Sequence, residues 1–416
     1  MPGFTSPLAE SLAPDLLERF QRYVRIDTQS RRDRRQSPST PGQLELARLL
    51  VQELLAIGLA DAALDDNGYV TATLAGDGPV VGLIAHVDTS PDAPGAGVEP
   101  IVHRAHPGGP IALPRRGTVV VPPASATGHD IVTSSGDTLL GADDKAGVAE
   151  IMTAVAHLAA HPELPRTTLR ICFTPDEEIG EGATLFDVEA FGAVCAYTLD
   201  GSDVGELQDE TFAAEEVWLA ITGVDAHPGW AKGVLVNAAR LASKIVAALP
   251  DDLTPERTDG RDGFIHVYEV AGSGGKAYVR AIVRDVDDDK LAAHTALLRR
   301  TAEEVVAAAP GAKLEVVVTP QYPNMHRFIE RFPQATEKAE EALRAEGIEP
   351  VRTPIRGGTD GSRLSAMGLP TPNLFTGGHE YHSPREWASL QEMSAAAATV
   401  VRLAAAWARD GAPPPR

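Results

Sequence analysis

The run VVGLIAHVD, beginning at Val80, is apolar on both faces. A strand with no wet side must lie between two layers, and the usual solution is a parallel sheet covered by helices. The neighbouring segments agree with that solution. YVTATL precedes the run as a strand, DKAGVAEIMTAVAHLAA reads as a helix, and TTLRICF and AVCAYTL return as strands. Alternation of this kind predicts an α/β fold with a mostly parallel sheet covered by helices. Upstream, Leu16, Leu17, Phe20 and Val24 share one helical stripe, and GQLELARLLVQELLAIG is a second amphipathic helix with a Gly stop.

A chain of 416 residues is longer than one hydrophobic core usually serves, so two domains are expected. The pattern changes near Gln208. From there EEVWLAITG, LVNAARLASKIVAAL, AYVRAIVRDVD, DKLAAHTALLRRTAEEVVAAA and KLEVVVT describe an α+β module with two helices on one face of a sheet. The expected division is 1–208 and 322–416 as two parts of one domain, with 209–321 inserted between them. After Tyr322 come the helix PQATEKAEEALRAEG, the Gly-rich turn IRGGTDGSR, the apolar run PTPNLF, TGGHEYH and a closing helix from about Leu390. A Pro- and Gly-rich stretch from Thr89 to Gly136 is long for a compact domain, which marks it as functional or as carrying small local structure. SRRDRRQSPSTPGQ reads as a solvated polar loop, and the tail GAPPPR is the one low-complexity tract.

A net charge of −21 argues against a nucleic-acid partner, which rewards clustered Lys and Arg. No apolar run is long enough to span a bilayer, and MPGFTSPLAESLAPDLLERF lacks the basic-then-greasy order of a signal peptide, so the expected address is the cytoplasm. Cys172 and Cys195 each lie in an apolar strand-like run and read as buried free thiols.

Hard, metal-binding side chains recur at the ends of these strands and in the turns: His86 and Asp88, Asp143-Asp144-Lys145, Glu177-Glu178, Asp200 and His382. Strand ends are where α/β proteins build their sites. His86 and Asp88 are two apart on a strand and point to the same side, so one can ligate while the other fixes its tautomer; a hydrogen-bonded surface pair is the commoner meaning of such a spacing. Asp144 reads equally as a helix N-cap, whereas Asp143 faces the loop and is free to coordinate, with two oxygens that can bridge two cations. Glu177 and Glu178 are adjacent and point apart, which suits one to a metal and the other to a proton; an exposed acidic turn is the plain alternative. Asp200 reads also as a turn residue. HEYH has neither the spacing nor the helix of a zincin motif, and His379 is expected to be exposed and non-ligating. Taken together, the two imidazoles and three carboxylates suit zinc or manganese, with one Glu to spare. Two such cations polarise a carbonyl and lower the pKa of a shared water to about 7.

The words GLIAHVDTSPDAPG, DTLLGADDKAGVAEIM, FTPDEEIGEGA, YTLDGSDVGELQDETFAAE, DAHPGWAKGVLVNAA, VRAIVRDVD and RGGTDGSRLSAMGLPTPNLFTGG resemble the M20 metallopeptidases over nearly the whole chain. The last of them, with HPGWAKGVLVNA, is similar to the tripeptide aminopeptidases within that family. The resemblance implies two zinc ions per subunit, with manganese or cobalt as substitutes. It implies His86, Asp143 and Asp200 on one ion and Asp143, Glu178 and His382 on the other. Glu177 matches the general base acting on a metal-bridging hydroxide, Asp88 the acid behind His86, and the Asp143-Asp144 peptide a cis bond. The inserted domain resembles a lid and dimerisation domain, through which a homodimer forms. There His227 matches a histidine that stabilises the tetrahedral intermediate. Arg284, Arg356 and Asn237 match positions that hold the peptide substrate, a structural salt bridge being the other reading of the arginines.

The chain departs from the family's words in three places: TFAA after the DET triplet, HSPREW after His382, and the loop between Ala96 and Thr133. These bear on substrate preference more than on metal chemistry. The alternatives are another M20 hydrolase (a dipeptidase, a carboxypeptidase or an N-acyl amino acid deacylase) and a peptide-binding protein without turnover. A binding protein has no need of Glu177.

Overall fold

In the computed structural model, which describes residues 3–408, the strand Val80–His86 lies inside an eight-stranded sheet. The strand order is Ala63–Leu64, Val70–Leu74, Thr168–Thr174, Val80–His86, Cys195–Gly201, Asn373–Phe375, Glu206–Gln208 and Val351–Arg352. Val80–His86 is parallel to both of its neighbours, and Cys195–Gly201 is parallel to Asn373–Phe375. The outer pairs Ala63–Leu64 with Val70–Leu74, and Val70–Leu74 with Thr168–Thr174, are antiparallel. The sheet is therefore mixed, with a parallel centre.

The strand alternation divides its side chains between two cores. Leu83, Ala85, Ile171, Phe173 and Tyr197 pack with the helices Pro7–Val24, Ala142–Ala160 and Leu390–Ala408. Ile84, Cys172 and Ala196 face the other way, onto Phe186, Phe191, Leu364 and Leu369. Both thiols are buried and unbonded. Ser6 caps the first helix through Ala9 N–H at 3.1 Å, and the second helix ends at Gly58 in the left-handed conformation. Within the stretch from Thr89 to Gly136, Ile101–His103 and Ile131–Thr133 join Trp387–Ser389 and Gly378–His379 in a small four-stranded sheet. No helix among the described residues is long and apolar enough to cross a membrane. The GAPPPR tail lies outside the described residues.

The chain forms two compact units. The first contains the large sheet and comprises the chain up to Asp209, Arg327–Thr353 and the chain from Thr359. The second comprises Glu210–His326 and a short return, Pro354–Gly358. Its antiparallel sheet runs Phe264–Gly272, Lys276–Asp285, Ala213–Thr222, Lys313–Tyr322. The inward side chains Val217, Leu219, Ile221, Val279, Ala281 and Val283 pack with Leu241 and Ile245 of one helix and Leu291 and Leu298 of another. Backbone pairing holds the short return to this unit: Phe212 N–H donates to Ile355 O at 2.9 Å and Ile355 N–H to Glu210 O at 2.8 Å. No periodicity announces such a five-residue visit, because it is too short to show one and its strand-like pairing is made by backbone groups.

Candidate metal centre

Three parallel strand ends and two loops of the first unit build the site. His86 closes its strand in register with Thr174, so the loop carrying Glu177 and Glu178 emerges beside it. Asp200 lies near the end of the adjacent strand Cys195–Gly201. Asp143 and Asp144 stand at the kinked start of the Ala142–Ala160 helix, joined by a cis peptide. His382 arrives from the loop after Gly378–His379, with a left-handed backbone at φ 59°.

The donor atoms converge. His86 Nε2 lies 2.9 Å from Asp143 Oδ1 and 3.6 Å from Asp200 Oδ1. His382 Nε2 lies 3.1 Å from Asp143 Oδ2 and 2.9 Å from Glu178 Oε2. The two oxygens of Asp143 thus face two different imidazoles. Asp144 has both oxygens committed to backbone: Oδ2 accepts His86 N–H at 3.1 Å and Oδ1 accepts Gly147 N–H at 3.2 Å. Its ligand atom lies within 4.8 Å of those of His86 and Asp200, as Asp143 does with His86 and Glu178, but the oxygens of Asp143 face two imidazoles whereas those of Asp144 face backbone N–H groups. Asp144 instead ties the strand end to the helix start.

Asp88 is fully buried behind His86, Oδ1 being 3.3 Å from His86 Nδ1 while the Asp88 carbonyl lies 3.0 Å from the same nitrogen. Its carboxylate also accepts Glu177 N–H at 2.9 Å and Glu178 N–H at 3.2 Å. Asp88 therefore serves both elements: its carbonyl holds the imidazole tautomer, and its carboxylate anchors the loop that carries both glutamates.

The electrostatics are those of crowded acids in a dry place. Burial pushes the Glu177 carboxyl well above its ordinary range, His86 pulling the other way and Asp200, Asp360 and Glu178 adding to the rise. Burial, then the charge of Asp143, lifts Glu178 to about 8. For Asp143 burial also acts upward, but the hydrogen bonds and charges of His382 and His86 outweigh it and hold the carboxyl below its usual range. Burial lowers His382, yet Asp143 and Glu178 carry it up to about 11. Glu178 Oε1 is buried with no hydrogen-bond partner. Stacked carboxylates and an orphaned oxygen are costly without a cation, and two imidazoles with three carboxylates are a donor set that divalent metals fill. The residues present fit metal ions.

Several contributors to this site carry no sequence signal. Glu386 accepts three backbone N–H groups of the segment that bears Asp143. Thr359 Oγ1 donates to Asp200 Oδ2 at 3.4 Å, and Asn373 Oδ1 accepts Asp200 N–H at 3.0 Å. Buried Asp360 accepts from Thr174 Oγ1 at 2.8 Å. The arginine-rich loop is only partly solvated. Arg34 lies 3.5 Å from buried Asp176, next to Glu177, and Asp176 also accepts Ser39 N–H at 2.7 Å and Gln43 Nε2–H at 2.7 Å. His379 is not exposed as expected: its ring stacks on Trp387 at 4.0 Å and its Nε2 lies 2.7 Å from Glu392 Oε2. That hydrogen bond removes a polar ring from water at little cost.

The remaining candidates belong to the second unit. His227 is exposed, its ring 4.6 Å from that of Trp230, and its Nδ1 accepts Gly229 N–H at 3.1 Å. The proton of the neutral ring is therefore on Nε2, which is left as a donor. Arg284 and Arg356 form no ion pair among the described residues, so they are not the salt bridges that their sequence also allowed. The Arg356 guanidinium sits over the rings of Phe212 and Phe264 at 5.2 and 5.4 Å and donates to Thr258 Oγ1 at 2.8 Å. Arg284 sits over Phe264 and Tyr322, each at 5.9 Å, donates to Arg356 O at 3.2 Å, and keeps a buried, unpartnered Nε. Asn237 caps a helix, its Oδ1 accepting Arg240 N–H at 2.9 Å.

The sequence matches the model of peptidase family M20/M25/M40 over residues 120–406. The chain belongs to this family. It is 46% identical to Peptidase T of Salmonella enteritidis PT4 over 406 residues, covering 95% of this chain and 99% of that one. It is 44% identical to Peptidase T of Geobacillus kaustophilus over 399 residues, covering 94% and 97%. The fold is also that of aminopeptidase PepT from Bacillus cereus, at 23% identity and a TM-score of 0.74, covering 95% and 99%. A tripeptidase from Staphylococcus aureus gives 21% identity and a TM-score of 0.77, covering 96% and 99%. As an M20 enzyme the chain is a metallopeptidase, and its cluster of His, Asp and Glu is the place in the first unit where metal ions fit.

Proposed function

We propose that this peptidase is an aminopeptidase that removes the N-terminal residue from tripeptides. The carrying observation is the split of Asp143, whose Oδ1 faces His86 and whose Oδ2 faces His382. That split supports a dinuclear centre with Asp143 as the bridge. We assign His86, Asp143 and Asp200 to one zinc ion and Asp143, Glu178 and His382 to the other. Zinc is favoured by the imidazole pair; manganese and cobalt accept the same donors.

When bound, the two cations polarise the scissile carbonyl and acidify a water. Glu177, half-buried with a raised carboxyl affinity for protons, takes that water's proton and delivers it to the leaving amine. Asp88 keeps the proton of His86 on Nδ1, so that Nε2 presents its lone pair. The Nε2–H of His227 is assigned to the oxyanion. Arg284 and Arg356, two guanidinium groups without carboxylate partners among the described residues, are assigned to the peptide's C-terminal carboxylate, and the Asn237 amide N–H to its backbone. Recognition of a free C-terminus is the proposed basis of a limit on substrate length. A homodimer through the second unit and a cytoplasmic address complete the proposal.

The test is hydrolysis of one unblocked tripeptide beside its dipeptide, tetrapeptide and N-acetylated forms, with zinc, manganese or cobalt and with a chelator. Chelator-sensitive release of the first residue from the free tripeptide alone is expected. Cleavage of the acetylated form, or of none of them by metal-loaded protein, transfers the chain to another M20 activity.

A further inference from the structure

Glu386 stands four residues after His382 in the HSPREW segment and is 1% exposed. Its Oε2 accepts the N–H groups of Leu140 and Gly141 at 2.7 and 2.8 Å, and its Oε1 accepts that of Asp143 at 3.0 Å. Both carboxylate oxygens are thereby spent on one turn of backbone, in which Gly141 is left-handed at φ 82°. The Glu386 backbone is itself anchored. Its N–H donates to Ser383 O at 3.1 Å, and the next residue, Trp387, pairs with Thr133.

A buried carboxylate is expensive unless hydrogen bonds replace its water, and charge-assisted bonds from three amides are the strong kind. In exchange, the Asp143 turn is held by a rigid acceptor. The short segment 382–386 thus does two things at once: it supplies His382 to the site and it fixes the residue whose oxygens face both imidazoles.

We propose that Glu386 is a positioning residue for the dinuclear centre, fixing the Asp143 backbone so that both its carboxylate oxygens are aimed before metal arrives. The inference rests on the ligand assignment given above. Its consequence is that metal affinity depends on a side chain that never touches metal.

The experiment compares full-length protein loaded with zinc, as parent, Glu386→Gln, Asp143→Asn and Leu403→Ala, and follows zinc release to a chromogenic chelator of known affinity. Glu386→Gln keeps the size of the side chain but replaces one acceptor oxygen with an N–H group, which then faces an N–H of the turn. It is expected to weaken zinc binding by about ten- to hundred-fold, and to lower kcat after full zinc loading with KM nearly unchanged. Leu403, 1% exposed in the closing helix, controls for general loosening: Leu403→Ala lowers stability by a cavity and is expected to keep parental zinc affinity. Should Glu386→Gln fail to fold, Glu386→Asp takes its place. It keeps the charge but is one methylene too short to reach all three amides, and the same loss of affinity is expected. Zinc affinity within about twofold of the parent in a folded residue-386 variant overturns the proposal. So does an equal loss in Leu403→Ala. If Asp143→Asn also retains zinc, the ligand assignment itself is at fault; if Asp143→Asn loses zinc while the residue-386 variant keeps it, only the role of Glu386 fails.

Discussion

The carboxylate of Asp88 accepts the backbone N–H of Glu177 at 2.9 Å while standing 3.3 Å from His86 Nδ1. Asp88 is fully buried, so it meets neither bulk water nor substrate, yet it touches the elements that carry His86 and Glu177. Asp88→Asn keeps the shape but puts an N–H group where Oδ1 or Oδ2 now accepts from Glu177 or Glu178. The glutamate loop then loses its anchor and the imidazole loses the charge beside it, while the Asp88 carbonyl keeps its bond to Nδ1. A fall of about ten- to hundred-fold in both kcat/KM and zinc affinity is expected. Steady-state kinetics and chelator competition measure the two losses. A variant that loses one without the other separates the carboxylate's charge behind His86 from its anchoring of the loop.

Glu177 is to be distinguished from its neighbour. Glu178 Oε2 lies 2.9 Å from His382 Nε2, whereas Glu177 has no side-chain hydrogen bond of its own among the described residues. Glu177→Gln is therefore expected to leave zinc content at the parental level and to lower kcat by about 10²- to 10⁴-fold. Glu178→Gln is expected to reduce zinc content as well. Metal analysis of both purified variants beside their turnover checks the pair, and turnover unchanged in Glu177→Gln removes the base from the mechanism.

Much of this centre is legible in the sequence because metal donors leave chemical marks. His86 and Asp88 stand two apart at the end of a fully apolar strand, and Glu177 and Glu178 stand together directly after another. The parallel sheet is legible for the same reason, since Val80 to Val87 offers no polar face. What escapes is whatever acts through backbone. Glu386 is one acid among 58 Asp and Glu, and nothing in HSPREW says that its partners are amides some 245 residues upstream. Arg34 is one of several arginines in a polar loop, and only folding brings it to Asp176. The return of Pro354–Gly358 to the second unit is hidden likewise. His379 departs from its expected exposure because a histidine in a Gly-rich turn looks solvated until Trp387 and Glu392 close on it.

The site's acids give the metal-free protein a defined response to pH. Glu178 and Glu386 are raised by burial to about 8 and about 7, from an ordinary value of 4.5. Hydrogen bonds and nearby charges carry His382 to about 11 against the pull of burial. A group whose folded pKa lies above its unfolded value favours folding most below the unfolded pKa, and that contribution is lost as pH rises through the folded one. All three therefore act in the same direction above neutrality. Asp143, held low, has the opposite sign, but its contribution is complete well below neutral pH and adds no slope there. The melting temperature of chelator-stripped protein is expected to fall between about pH 6 and about pH 9. Zinc takes the place of these protons, so loaded protein is expected to show a flatter profile and zinc binding near pH 7 to release protons. Thermal melts across that range, and calorimetric titrations in buffers of different ionisation enthalpy, measure both effects. A metal-free profile that is flat or rising contradicts the arrangement of charges described here.

Arg356 offers the sharpest test of how substrate length is read. Its guanidinium is fixed by Phe212 and Phe264 rings, by Thr258 and by Gly260 O at 3.2 Å, and no carboxylate among the described residues pairs with it. A planar cation held by stacking is ready for a bidentate carboxylate, and a lysine in its place gives a point charge without the fork or the stack. Arg356→Lys is therefore expected to behave more like a loss than a conservative change. For a tripeptide with a free C-terminus, kcat/KM is expected to fall by about ten- to a hundredfold, an interaction of about 1.5–3 kcal/mol. For the same tripeptide amidated at its C-terminus, which the parent is expected to cleave poorly, the variant is expected to match the parent. The comparison needs four values of kcat/KM. If Arg356→Lys slows both peptides by the same factor, the arginine serves the packing of Phe212 and Phe264 rather than the substrate carboxylate, and length selection must be sought elsewhere in the second unit.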